Sequence, residues 1–132
     1  MKTVLIAEDS AVNRELLREL LEIRDYAVME ACDGEQALLR IAEAKPDILL
    51  LDLNMPVLDG YGAIARIRKD PALQSLPVLA VTANAMHGDR EKILAAGFDG
   101  YLSKPISSKA LCAEIERLLK LRDRTQAAGQ AN

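Results

Sequence analysis

Ile48-Leu49-Leu50-Leu51-Asp52-Leu53-Asn54-Met55-Pro56 is the stretch on which the reading of the chain turns. Four branched aliphatics follow Pro46-Asp47 with no polar residue among them, and the run ends abruptly on an acid. An apolar run without alternation predicts a strand covered on both faces, as in a parallel sheet. Asp52 then stands where that strand leaves the sheet. Pro56 blocks continuation, and Asp59-Gly60 opens the next element. A single acid after a strand commonly does no more than cap the following helix, so its meaning depends on what other segments bring to the same place.

Outward from this stretch, strands and helices alternate. Val4–Ala7 is a second wholly apolar strand and ends in Glu8-Asp9. Ser10 is placed to cap a helix over about Ala11 to Arg24, with Val12, Leu16, Leu20 and Ile23 at helical spacing and Leu17 and Leu21 widening that apolar face. Ala27–Ala31 reads as a less apolar edge strand. Asp33 and Gln36 form the signature of a capping box for a helix that Lys45-Pro46 stops. Beyond the central strand, Ala63, Ile64 and Ile67 mark a short helix ending near Asp70-Pro71. Pro77–Thr82 predicts a fourth strand. A helix from about Gly88 to Ala96 closes on Gly97, and Gly100–Lys104 gives a fifth strand ended by Pro105. Ser107 or Ser108 caps the last helix, which carries Leu111, Ile115, Leu118 and Leu119.

Five alternations of this kind predict an α/β fold: a doubly wound, five-stranded parallel sheet with five helices, strand order 2-1-3-4-5. Residues 1–122 form the expected domain. Residues 123–132, polar and aperiodic, are expected to be a flexible C-terminal tail or the stub of a linker.

Composition narrows the function classes. The 132 residues fit one domain, half of them apolar, with no run long enough to span a bilayer. A net charge of −3 without a Lys/Arg block argues against a nucleic-acid face, and the absence of Trp argues against a base-stacking platform. Cys32 and Cys112 are far apart and read as reduced packing thiols. The start shows no basic segment followed by an apolar one, so a cytoplasmic location is expected.

In a sheet of this order, ligands bind at the carboxyl ends of the strands. There the chain presents Glu8, Asp9, Asp52, Thr82 and Lys104. Two unit charges 4 Å apart repel by about 4 kcal/mol at an effective dielectric near 20. Three acids with one lysine therefore need either a proton or a further cation. An oxygen-only donor set in a partly open site suits Mg²⁺. Asp52 is then placed as a nucleophile toward a phosphoryl group, with Thr82 donating a hydrogen bond and Lys104 neutralising charge.

Glu8-Asp9, Asp52 followed by Met55-Pro56 and Asp59-Gly60, Thr82-Ala83 and Lys104-Pro105 together resemble the receiver domain of two-component response regulators, over about residues 2–122. The resemblance implies a flavodoxin-like fold and a phosphoryl group accepted by Asp52 from a histidine kinase or a histidine phosphotransfer protein. It implies metal ligation by Glu8, Asp9, Asp52 and the backbone carbonyl of Asn54. Phosphoryl oxygens would meet Thr82, the Ala83 amide and Lys104. Tyr101 matches the family's switch aromatic, working with Thr82, and Lys104-Pro105 its cis peptide. The stretches 81–86 and 103–106 are most similar to receivers of hybrid histidine kinases and to stand-alone receivers. A start at Met1 and little room for an output domain favour the stand-alone type, a monomer or weak dimer acting on a downstream effector or kinase. A phosphorelay receiver cut from a hybrid kinase and an aspartyl-phosphate phosphatase are the alternatives. Catalysis would be confined to its own phosphorylation and dephosphorylation. Asn13, Arg14, Leu17 and Leu21 are either a docking face for the phosphodonor or, for the two leucines, core. His87 reads as exposed and inert.

Overall fold

In the computed structural model, residues 1–83 and 89–130 are described, with side chains through Arg124. The elements are β1 (Thr3–Ala7), α1 (Ala11–Ile23), β2 (Ala27–Ala31), α2 (Gly34–Ala44), β3 (Ile48–Asp52), α3 (Gly60–Lys69), β4 (Val78–Thr82), α4 (Asp89–Ala96), β5 (Gly100–Ser103) and α5 (Ser108–Gln130). A 3₁₀ turn, Pro71–Leu73, which the sequence reading lacked, joins α3 to β4. The sheet is parallel throughout, in the order β2-β1-β3-β4-β5. His87, the stretch 84–86 and the expected helix start at Gly88 lie outside the described residues.

The unbroken apolar runs of β1 and β3 have a simple cause. Val4, Ile6, Ile48 and Leu50 point to one face, covered by α1 and α5 through Leu17, Leu21, Leu111 and Ile115. Leu5, Ala7, Leu49 and Leu51 point to the other, covered by α2, α3 and α4 through Ile41, Ile64 and Ile93. Each position along the strand is inside, whichever way it points. Register then fixes where the chemistry falls. Ala7 lies opposite Leu51, Asp52 opposite Val81 and Thr82 opposite Ser103, so Glu8, Asp52, Thr82 and Lys104 share one edge of the sheet.

Helix starts follow the expected caps. The Ser10 hydroxyl accepts from the Asn13 amide, the Asp33 carboxylate from the Gln36 amide at 2.8 Å, and Asp59 from the Gly62 amide. The Gln36 side chain reaches back to the Cys32 amide at 2.9 Å, one residue earlier than in a strict capping box. Gly97 closes α4 with φ +115°. Cys32 and Cys112 are free thiols.

One expectation needs correction. The apolar face of α1 is split: Leu17 and Leu21 are core, whereas Val12, Leu16 and Ile23 are exposed, Ile23 by 76 %. The helix turns these outward because Leu17 and Leu21 take the core face against β1 and β3, while Arg14 and Arg18 on its β2 side are tied to Glu30. At the other end of the chain, α5 continues to Gln130, past the expected domain end at residue 122. Arg122 grips the Asp47 carbonyl and carboxylate, both at 3.0 Å, which secures the helix at that point. Extension of an existing helix adds a hydrogen bond per residue without a new nucleus. No helix among the described residues is long and apolar enough to cross a membrane.

Candidate functional site

Every strand that ends at this edge delivers a polar group, apart from β2. β3 carries Asp52, 3 % exposed, on its last residue. One carboxylate oxygen, Oδ1, accepts from the Asn54 amide at 2.9 Å. The other, Oδ2, accepts from Lys104 Nζ at 2.8 Å. The chain can fold back so tightly after β3 because Gly60 lies against it. A Cβ there would stand 2.6 Å from the Asp52 carbonyl oxygen, and the Gly60 amide donates to the Leu53 carbonyl at 3.1 Å. Gly34 clamps the same loop from α2: its amide donates to Leu58 O at 3.0 Å, and a Cβ would collide with that carbonyl. Both glycines serve the site, and the sequence reading credited neither with that role.

β1 ends in Glu8, 3 % exposed, and the exposed Asp9. Lys104, held after β5 by its amide's 2.8 Å bond to the Thr82 carbonyl, also donates to Glu8 Oε2 at 3.3 Å. The Lys104-Pro105 peptide is cis. Glu8 Oε1 accepts from Asn13 Nδ2 at 3.0 Å. Asn13 therefore reaches into the site, and it also lines the groove beside Lys104. Its sequence signal was an asparagine in the first turn of a helix that starts right after the acids. Thr82 is buried and Ala83 exposed beside it. Tyr101 is half-buried against the α2–α3–α4 core, opposite Ala80 in register.

Carboxylate oxygens of Glu8, Asp9 and Asp52 lie within 4.8 Å of one another. At that separation each ionised pair repels by about 3 kcal/mol at an effective dielectric near 20. One lysine faces three acids. The two buried acids respond in opposite directions. Burial pushes the Glu8 carboxyl up, and its hydrogen bond with Asp52 adds to the rise against Asn13 and Lys104. Burial also pushes Asp52 upward, but hydrogen bonds from Glu8, Lys104 and the Asn54 amide outweigh it and hold that carboxyl below its ordinary value. Lys104 keeps its charge more firmly than a free lysine: burial opposes this, and the bond to Asp52 overcomes it. A proton taken up here goes to Glu8 before Asp52. The all-oxygen donor set, open to solvent at Asp9, fits a hard divalent cation.

Beside Lys104 an open groove of about 680 Å³ runs along α1. Leu16, Leu20, Ile23, Pro105 and Ile106 give it apolar walls.

The family model "Response regulator receiver domain" matches residues 4–116. The polar-differentiation response regulator DivK of Brucella anthropi is 40% identical over 118 residues, 89% of this chain and 96% of that protein. Hybrid signal transduction histidine kinase I of Dictyostelium discoideum is 43% identical over 115 residues, a match spanning 7% of that protein. Among solved structures, a response regulator from Chloroflexus aurantiacus superposes with a TM-score of 0.86 at 33% identity, covering 90% of this chain and 98% of that one. The receiver domain of sensor histidine kinase PA1611 from Pseudomonas aeruginosa, described with a magnesium ion coordinated in its active site cleft, gives 0.83 at 36% identity, with the same coverage.

Proposed function

The chain belongs to the response regulator receiver family, whose members are phosphoacceptors in two-component signalling, and on that premise we propose that Asp52 is the residue that takes the phosphoryl group. A carboxylate oxygen of Asp52 attacks phosphorus, the P–N bond to the donor's phosphohistidine breaks, and the departing imidazole takes a proton from solvent. The product is an acyl phosphate. The observation that carries this reading is the charge imbalance around one buried, ionised carboxylate.

Mg²⁺, held by Glu8, Asp9, Asp52 and the Asn54 carbonyl, supplies neutralisation of the phosphoryl oxygens when bound. The magnesium described for the Pseudomonas receiver supports that assignment. The protein's own groups do the rest. Lys104 Nζ moves from Asp52 Oδ2 to a phosphoryl oxygen, and the Thr82 hydroxyl and the Ala83 amide take the others. Drawing Thr82 toward the phosphate leaves room behind it for Tyr101 to turn inward, which alters the face of α4, β5 and α5 offered to a downstream effector or kinase. Such a switch, from 1:99 to 99:1, needs about 5.5 kcal/mol of preference for the active shape.

The phosphodonor, a histidine kinase or phosphotransfer protein, docks in the groove along α1, which Leu16, Leu20, Ile23 and Lys104 line together. Leu16→Glu is expected to slow transfer from the protein donor about tenfold, the loss from a charge buried in an apolar contact, while labelling by a small acyl phosphate stays normal. Equal slowing of both would remove the docking role. The reading carries a cytoplasmic location with it.

Incubation with acetyl phosphate, with and without Mg²⁺, tests the assignment. The expected result is one labile phosphate per chain, dependent on Mg²⁺ and absent from Asp52→Ala. A label that persists in Asp52→Ala would reject Asp52 as acceptor, and steady turnover of phosphomonoesters would favour an aspartyl-phosphate phosphatase.

A further inference from the structure

The two acids at the end of β1 are held very differently. Glu8 is fixed from four sides. Its amide donates to the Ala31 carbonyl at 3.0 Å, and its carbonyl accepts from Arg14 Nη1 at 2.7 Å. Its two carboxylate oxygens are divided between Asn13 Nδ2 at 3.0 Å and Lys104 Nζ at 3.3 Å. Arg14 is itself held by Glu30 Oε1 at 3.2 Å, and the other Glu30 oxygen is held by Arg18 Nη2 at 2.6 Å. Among the described residues, Asp9 has no hydrogen bond or ion pair at its side chain.

Asn13 stands in the first turn of α1, where its own amide is capped by Ser10. Asparagine is an unfavourable helix residue, and no local backbone bond to its side-chain amide accompanies it here. Its donor is spent on Glu8 alone. The contact is neutral, so it restrains one carboxylate oxygen without reducing the negative charge that draws a cation. A glutamate with three side-chain torsions would otherwise lose that restraint on one of its oxygens.

From this geometry we infer that Asn13 is a positioning residue that sets the cation preference of the site, by fixing Glu8 in a shape suited to a small octahedral ion. The inference rests on the assignment of Glu8, Asp9 and Asp52 as the Mg²⁺ site. Mg²⁺ demands near-ideal octahedral geometry, whereas Ca²⁺ accepts more ligands at longer, looser distances. Outer-shell partners of metal ligands are worth 10–100-fold in affinity. Removing the Asn13 donor therefore weakens Mg²⁺ more than Ca²⁺.

Isothermal titration of the full chain with MgCl₂ and with CaCl₂ tests this, on wild type, Asn13→Leu, Asn13→Ala and the control Glu15→Ala, an exposed position on the same helix. Both Asn13 variants are expected to lose about tenfold in Mg²⁺ affinity and less than about threefold in Ca²⁺ affinity, with Glu15→Ala unchanged. Equal losses for the two ions, as a general disturbance of α1 would produce, overturn the inference. So does an unchanged ratio of the two affinities. Wild type that binds no Mg²⁺ at all would overturn the site assignment and the inference together, whereas Mg²⁺ binding with an unaffected Asn13→Leu overturns the inference alone.

Discussion

Asp47 and Asp52 bracket β3, and their immediate partners are nearly the same. Asp47 accepts one backbone amide, from Thr3 at 2.7 Å, and one cation, Arg122 at 3.0 Å. Asp52 accepts one backbone amide, from Asn54, and one cation, Lys104. Both carboxyls lie below their ordinary values: the Thr3 and Arg122 bonds overcome burial at Asp47, and bonds from Glu8, Lys104 and the Asn54 amide overcome it at Asp52. The difference is one layer further out. At the Asp47 end, Asp123 and Lys2 complete a set of two acids and two bases. At the Asp52 end three acids share one lysine. The first set closes on itself and staples α5 to the sheet. The second leaves a negative surplus that only a further positive species or a proton can settle. Similar local bonds thus close a balanced set at one end of the strand and sit within an unbalanced one at the other.

The sharpest way to break the comparison is to remove each cation. Lys104→Ala should slow self-labelling by acetyl phosphate about 100-fold, the usual loss for one group that stabilises charge in the transition state. Arg122→Ala should leave the labelling rate unchanged. Comparable slowing in the two would mean that the ends are not functionally distinct.

Stability should respond the other way round. Asp47→Ala breaks a partly buried pair and is expected to lower the unfolding free energy by about 1–3 kcal/mol in urea titrations. Asp52→Ala loses bonds of the same kind but also removes one of three clustered acids, so its cost without metal should be smaller than that of Asp47→Ala. An Asp52→Ala protein less stable than Asp47→Ala would contradict the surplus-charge account.

The smallest effect is on pH. The stability from Asp47's depressed carboxyl is fully present above its unfolded value, about 3.9, and is lost as pH falls through the lower folded value. Glu8 is raised, so the folded state holds its proton longer, and stability falls as pH climbs from the unfolded value through the folded one. With chelator present, Asp47→Ala should flatten the acid limb of the curve, and Glu8→Gln should remove the decline above it. Mg²⁺ affinity of the wild type should weaken as pH drops through the raised Glu8 range, because the ligand must first lose its proton.

The sequence carried the parts of this account that rest on runs and punctuation. Four aliphatics before Asp52 gave a strand covered on both faces, and the order of strands then placed Glu8, Asp52, Thr82 and Lys104 at one edge. What it could not carry was orientation. Val12, Leu16, Leu20 and Ile23 have the spacing of a core stripe, yet three of them face outward, because periodicity is equally satisfied by a face that meets another protein. Asn13 looked like a surface residue, since nothing in its neighbours in sequence reveals that its amide reaches back to Glu8. The 3₁₀ turn after Asp70 and the continuation of α5 past Asp123 escaped for a related reason. Neither has an apolar rhythm, and both depend on contacts with distant residues or on helix already formed.

The paired glycine clamps on the loop after β3 have one more consequence. Connecting segments at a protein surface usually tolerate insertions and deletions, because their ends can drift. Here Gly34 and Gly60 fix the chain against Leu58 and Leu53, so the spacing between Asp52 and Gly60 is itself a structural dimension. Aligned relatives that keep both clamps should run without gaps between those two positions, even where the residue identities diverge.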